Sequence, residues 1–399
     1  MKIGLLTFPE FNNDFKHKLE PSVLYVASKR QQDSNIFLYD NLPSDDIDIY
    51  LASIYTVGFD EFKLFSKKVG NEKIIAGGYH STAEPFETHK YAKIVIKGLS
   101  SGVEDYFEKD VEGIFDGQFQ PININRNLFD IKVNKQAHPD ILPSDIIGSI
   151  NIGIGCQFGC GFCITPMMSK RKVYFKNDLL IKQDIDDLKL RNCNVLFIRD
   201  ENFTAHENLP AICSLIKAGD FKVVYSFATA NSITKENIKI LKDAGWHSLC
   251  IGAEYPSLKL KKNNNFDKAI ELCNKYDIGY ALSYIVNDSK SIEDVEIQFN
   301  LIKESAFKYM PIKLSINFLK PFPGTKIYNS YKDKLNGMSY SDFYLDYPLF
   351  SNEKNKCNNL LISTLLDYYY SSKYSYLRKF DCNDSLHLSI IDQSLHIIQ

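Results

Sequence analysis

The sequence predicts an α/β protein in three parts: an N-terminal doubly wound parallel sheet, a partial (β/α)6 barrel, and a helical, tyrosine-rich C-terminal extension. Three observations predict it. Short apolar runs alternate with helical stretches over residues 1–110, strand and helix patterns recur six times between 149 and 328, and the chain beyond that point turns aromatic. Residues 111–148 are polar, are broken by Pro121, Pro139 and Pro143, and read as a linker. The expected domains are therefore 1–110, 149–328 and 329–399.

In the first part, KIGLLTF (2–8) is a buried parallel strand, Pro21 to Gln32 a helix, and IFLYD (36–40), IYLASIYT (49–56) and KIIAGG (73–78) three further strands. Ligands of such a sheet lie beyond the C-terminal strand ends. Gly77 and Gly78 stand at one of those ends, where missing side chains let a ligand or another backbone come close.

The barrel strands are SINIGIG (149–155), NVLFIRDE (194–201), KVVYSFATA (222–230), HSLCIGAE (247–254), GYALSYIV (279–286) and KLSINFLKP (313–321). Amphipathic helices at 178–191, 208–218, 234–244, 266–276 and 291–305 separate them, with Asn177, Thr234 and Ser291 as N-caps. Six units are too few to close an eight-stranded cylinder, and the opening suits a substrate entering from one side. Polar side chains gather at the C-terminal ends: Asp200, Glu201 and Asn202, then Ser226, Glu254, Ser283 and Tyr284. In the extension, an apolar helix near Asn358–Tyr369 and the run DYYYSSKYSYLRKF read mainly as packing.

Bulk properties narrow the function classes. With 47 Lys+Arg against 49 Asp+Glu, nothing favours non-specific nucleic-acid binding. Nine cysteines, three of them clustered, do not form a disulfide framework and fit a reducing cytoplasm. Cys193, Cys213, Cys250 and Cys273 read as buried small hydrophobes. No signal peptide and no apolar run of about 18 residues stands out, so membrane spanning is not expected.

The chemistry concentrates in NIGIGCQFGCGFCITPMMSKRK, residues 151–172, where Cys156, Cys160 and Cys163 have the spacing C-x3-C-x2-C. Gly155, Gly159 and Gly161 make the loop able to fold back on itself. Three thiolates can hold three irons of a [4Fe–4S] cube and leave the fourth iron open to chelate a small molecule. The glycines also let backbone N–H groups approach the sulfurs. The alternative is zinc on the same thiols with a fourth ligand, for which His138, Cys193 and His206 are the nearest candidates.

These residues, with Phe162 just before the last cysteine, resemble the radical S-adenosylmethionine (SAM) superfamily. The resemblance implies that the open iron binds the amino and carboxylate groups of SAM. An electron from the reduced cluster then splits the sulfonium to give a 5'-deoxyadenosyl radical, which modifies an unactivated carbon. RDENFT, IGAE and PFPGT (321–325) resemble the family's strand-end turns. They imply Asp200, Glu201 and Glu254 around SAM; Ser226 and Ser283, on the third and fifth strands, are further candidates to line it, and the basic run Lys170, Arg171 and Lys172 reads as either a SAM or substrate carboxylate contact or a solvated loop.

Residues 1–110 resemble the Rossmann-like cobalamin (B12)-binding domain that precedes many radical SAM domains. The likeness rests on Ser53-Ile54-Tyr55-Thr56, Gly77-Gly78-Tyr79-His80 and Lys97-Gly98. The family's D-x-H-x-x-G loop is absent after the first strand, where Asp14 and His17 have another spacing. His17 and His80 read as surface or hydrogen-bonded loop residues. Cobalamin would make methyl transfer the outcome. Without it, rearrangement, dehydrogenation or ring chemistry is open, and a zinc- or cluster-stabilised binding module is the non-enzymatic reading. The implied partners are a small-molecule or peptide substrate and an electron donor such as flavodoxin or ferredoxin.

Overall fold

Apolar runs of β-branched residues form the strands, and both faces of the first sheet are covered. The computed structural model describes residues 2–8, 36–38, 47–107, 110–128, 144–254, 264–343 and 347–370. Its first sheet takes β1 (Ile3–Phe8), β2 (Ile36–Leu38), β3 (Ile49–Ile54), β4 (Ile74–Gly77), β5 (Ile94–Lys97) and β6 (Gly113–Asp116). They are parallel, in the order β2-β1-β3-β4-β5-β6. Side chains alternate, so Ile3, Leu5, Leu51, Ile75 and Ile94 pack on one face, and Leu6, Phe8, Ala52, Ile54 and Val95 on the other. Helix α1 (Phe59–Val69) covers the second face with Phe59 and Phe62. The strand order reverses between β1 and β3, which is where ligands of doubly wound sheets lie. Strand β6 falls in the stretch expected to be linker; its short Gly-Ile-Phe-Asp run gives too little periodicity to be read. The expected helix Pro21 to Gln32, and Asp14 and His17, lie outside the described residues.

The second sheet is the partial barrel. It takes β7 (Ile147–Ile150), β10 (Val195–Ile198), β11 (Val223–Ala228), β12 (Ser248–Glu254), β13 (Gly279–Val286) and β14 (Lys313–Phe318), each parallel to the next. A two-stranded antiparallel ladder of β8 (Gly153–Ile154) and β9 (Tyr174–Phe175) intervenes after β7. Helices α2 (Asp178–Leu190), α3 (Leu209–Ala218), α4 (Lys235–Asp243), α5 (Asn264–Lys275) and α6 (Ile292–Tyr309) alternate with the barrel strands. Asn177, Thr234 and Ser291 cap three of them, their side-chain oxygens accepting from the N–H of Leu180, Asn237 and Asp294. The extension contributes α7 (Lys354–Tyr370).

The strand expected at 149–155 is instead broken at Asn151 and Ile152. Its physical cause is a side chain: the Ile152 N–H, 1% exposed at the residue level, donates to Asp200 Oδ1 at 2.7 Å rather than continuing the ladder.

Two compact units result. One comprises Met1–Val133, Gly153–Lys176 and Lys320–Tyr344, the other Asn134–Ile152, Asn177–Leu319 and Leu345–Gln399. The three-thiol loop and PFPGT fall in the first unit, whereas the sequence groups them with the barrel. Among the described residues no helix is long and apolar enough to cross a membrane.

Candidate functional site

In the first unit, glycine lets the chain fold back around the thiols. Gly155 has φ +105, and a Cβ there would lie 2.2 Å from the Lys172 carbonyl oxygen, so the loop closes onto its own end. Gly159 gives room to the guanidinium of Arg171, whose Nη2 would stand 2.7 Å from an added Cβ. The loop is then held from PFPGT. Lys326 Nζ donates to the Gly159 carbonyl at 3.1 Å, and the Ile327 N–H donates to the Gly161 carbonyl at 3.1 Å. Gly324, at φ +80, lets this segment approach Met167. Ser169 Oγ accepts from the Cys156 N–H at 3.4 Å.

Cys160 is exposed, Cys156, Phe162 and Cys163 are partly buried, and the three cysteines are thiols. Among the described residues no three His, Cys, Asp or Glu side chains converge on a point that one metal ion would fill. Of the fourth ligands a zinc site would need, Cys193 is 1% exposed in the core and His206 Nδ1 accepts from the Asn208 N–H; His138 lies outside the described residues. A donor set of three spaced thiols on a pinned loop fits a polynuclear iron–sulfur group. Of the basic run, Lys170 pairs with Asp116 at 3.4 Å, and Arg171 lies along the loop.

In the second unit the predicted residues sort by face. Ser226 is fully buried and its Oγ accepts from Trp246 Nε1 at 3.1 Å, so it points at the helix layer rather than into the barrel. Tyr284 likewise meets Ser305 Oγ on α6, away from the barrel interior. Neither lines the interior, because period-two alternation sends each to the outer face. Ser283 is on the inner face, in register between Gly252 and Ser315. Asp200 is 5% exposed and spends one oxygen on the Ile152 N–H; Glu201 beside it is partly exposed.

Glu254 ends β12 at φ +60, a left-handed conformation that is strained for this residue type and typical of functional turns. The β12–β13 register shifts between Gly252 and Glu254, and the carboxylate folds over Gly252, where an added Cβ would come within 2.3 Å of Oε1. Burial pushes its carboxyl up to about 6, and among the described residues none hydrogen-bonds to it. Asn202 follows the end of β10. Its Oδ1 accepts from the Thr229 N–H and the Ser232 hydroxyl, tying the turn after β10 to the turn after β11. No local sequence signal announces that link, since its partners lie about 30 residues on.

Just past the C-terminal end of β4, Gly78 has φ +91, and a Cβ would press to 2.7 Å from the Ile54 nitrogen. Its bareness thus serves the approach of backbone to β3. Gly77 has ordinary room, the nearest atom being 3.7 Å from an added Cβ. His80, expected as a surface or hydrogen-bonded loop residue, lies instead in the short helix Gly78–Ala83, is 0% exposed and stacks on Phe59 with ring centroids 3.9 Å apart. Among the described residues neither ring nitrogen has a hydrogen-bond partner, and burial pushes its pKa down to about 3. The apolar face of α1 outweighs the preference of an imidazole for water.

A doubly wound sheet, an open parallel barrel and a glycine-shaped three-thiol loop after the first barrel strand define an α/β protein with a candidate iron–sulfur loop. Residues 150–286 match the sequence profile of the radical SAM superfamily. This stretch is similar to radical SAM domains. A curated relative, bacteriochlorophyllide d C-8(2)-methyltransferase of Chlorobaculum tepidum, is 23% identical over 301 residues, 69% of this chain and 64% of its own length. The chain thus spans just under two thirds of that relative. The fold resembles the radical SAM methyltransferase TsrM of Kitasatospora setae, solved with cobalamin and a [4Fe–4S] cluster. That match has a TM-score of 0.60 and 11% identity, and covers 85% of this chain and 79% of TsrM. TsrM with tryptophan and a SAM analogue matches with a TM-score of 0.58 and 12% identity, over 84% and 76% of the two chains.

Proposed function

We propose that the protein is a radical SAM methyltransferase, with Cys156, Cys160 and Cys163 holding a [4Fe–4S] cluster whose open iron takes SAM. The observation that carries this reading is the three-thiol loop, closed at Gly155 and pinned through Gly159 and Gly161 by Lys326 and Ile327. When bound, the reduced cluster supplies the electron that cleaves the sulfonium, from a donor such as flavodoxin or ferredoxin. The chain's own residues bind and orient. The Glu254 carboxylate, strained and without a hydrogen bond among the described residues, is an acceptor for the N–H of the SAM methionyl amine or for a ribose hydroxyl. Ser283 lines the inner wall, and Asp200 sets the course of the backbone into the loop.

Methyl transfer is supported by the relative, which is a methyltransferase by name, and by the sheet order, whose reversal between β1 and β3 leaves a ligand edge. Cobalamin, when bound there, supplies a methyl carrier. His80 offers it no ligand, being fully buried against Phe59. That burial also favours a second reading, radical rearrangement, dehydrogenation or ring chemistry without a corrinoid. The substrate is a small molecule or peptide.

Two measurements test this. Anaerobically purified protein should show iron–sulfur absorption, and a corrinoid band separates the two readings. With dithionite and SAM it should form 5'-deoxyadenosine, and Cys160→Ala should not. A single zinc in the purified protein, or undiminished SAM cleavage by that variant, would sink the assignment.

A further inference from the structure

The inner face of the barrel divides into two unlike walls. On β7, β10 and β11 it is apolar and filled by Ile147, Val195, Phe197, Val223 and Tyr225, with Phe227 above them 39% exposed. On β12, β13 and β14 the alternation puts large residues outward and small or polar ones inward. Outward, Tyr280 and Tyr284 bond α6, and Leu282, Leu314 and Ile316 are buried. Inward lie Cys250, Gly252, Ala281, Ser283, Lys313 and Ser315, all partly exposed. The pairing register fixes their rungs: Phe227 beside Cys250, Cys250 beside Ala281, and Ala281 beside Lys313. Gly252, Ser283 and Ser315 make the rung above.

Lys313 is the anomaly on this wall. Among the described residues its ammonium has neither a hydrogen bond nor an ion pair. Burial pushes its pKa below the ordinary lysine range. Cys250 is the ionisable group that acts on it, but burial holds that thiol up at about 11, so it stays neutral and leaves the ammonium uncompensated. A largely desolvated cation is costly unless a counter-charge arrives. Ala281 beside it and Ser283 and Ser315 on the rung above carry small side chains, and the Glu254 carboxylate closes over Gly252 on that same rung.

We propose that Lys313 receives the carboxylate of a substrate held inside the barrel, its apolar body lying against Phe227 beneath Gly252, Ser283 and Ser315. The inference names the substrate class for the radical SAM reading above and rests on it for the word substrate. The anion it binds has two possible sources, the substrate and the methionyl carboxylate of SAM, and the proposal commits to the substrate.

The test is binding to the anaerobically purified full chain, measured calorimetrically with 1-naphthoate and with its uncharged counterpart 1-naphthamide. Naphthoate should bind about tenfold more tightly or better. Lys313→Met should abolish that preference and Lys313→Arg should keep most of it, while SAM affinity stays within about twofold in both. Lys313→Gln with an unchanged thermal midpoint controls for misfolding. Equal binding of the two probes by the parent protein, or a preference that survives Lys313→Met, would overturn the proposal. So would a loss of SAM affinity of about tenfold in Lys313→Met, because the lysine would then belong to SAM. Failure to form 5'-deoxyadenosine overturns the radical reading and leaves the probe result standing, so the two failures are distinguishable.

Discussion

The N–H of Ile152 donates a 2.7 Å hydrogen bond to the Oδ1 of Asp200, 48 residues later, and both groups are buried. The bond turns the chain out of β7 four residues before Cys156, so a strand-end carboxylate steers the backbone that leads to the thiols. Asp200→Ala leaves that N–H without an acceptor and should cost about 1–3 kcal/mol. Asp200→Asn keeps an oxygen and should cost less. Urea denaturation of both variants decides the point, and equal losses would show that the bond does not steer the turn.

Ser226 supports Trp246 from the outer face of β11. Ser226→Ala should lower stability by about 1–3 kcal/mol through the unpaired indole N–H and leave SAM affinity unchanged. A large drop in SAM affinity with normal stability would return Ser226 to the cofactor site.

Glu254 is the pH-sensitive group of the proposed SAM site. Burial pushes its carboxyl up to about 6, so the negative charge is present above that pH and lost below it. Affinity for SAM should therefore fall as pH drops through about 6, by up to about tenfold per unit. Glu254→Gln should bind weakly with no such slope. Calorimetric titrations from pH 5 to 8 check both, and an identical slope in the variant would remove Glu254 from that role.

His80 should make the protein acid-sensitive. Its pKa is depressed to about 3 from the ordinary 6.5, so the unfolded chain takes up a proton that the folded chain refuses. Stability is full above about 6.5 and declines by about 1.4 kcal/mol per unit as pH falls toward 3. His80→Phe, apolar against Phe59, should remove this component and be neutral or stabilising near pH 7. Parallel thermal melts of the two proteins across that range provide the check.

Much of the barrel could be read because its signals are local. Asn177, Thr234 and Ser291 announce helix starts within three residues, and apolar runs announce buried strands. The thiol spacing is also local, so the loop's chemistry needed no fold. The site around it was only partly legible. Ser226 and Ser283 look alike at strand ends, yet one faces the helix layer and the other the interior, a difference of odd or even position against an unseen register. Lys313 was passed over inside KLSINFLKP, although its alternation with Ser315 and Asn317 was a signal that could have found it.

From the sequence alone follow the α/β class, the order of the parts and the three thiols, because each depends on residues within a turn or a strand of one another. The tertiary structure decided which carboxylate bends the backbone, which serine meets an indole, which lysine faces the barrel interior, and which histidine is buried without a hydrogen-bond partner among the described residues. Those facts depend on contacts between strands and helices tens of residues apart, and the free energy of such groups is set by the neighbours that exclude water from them.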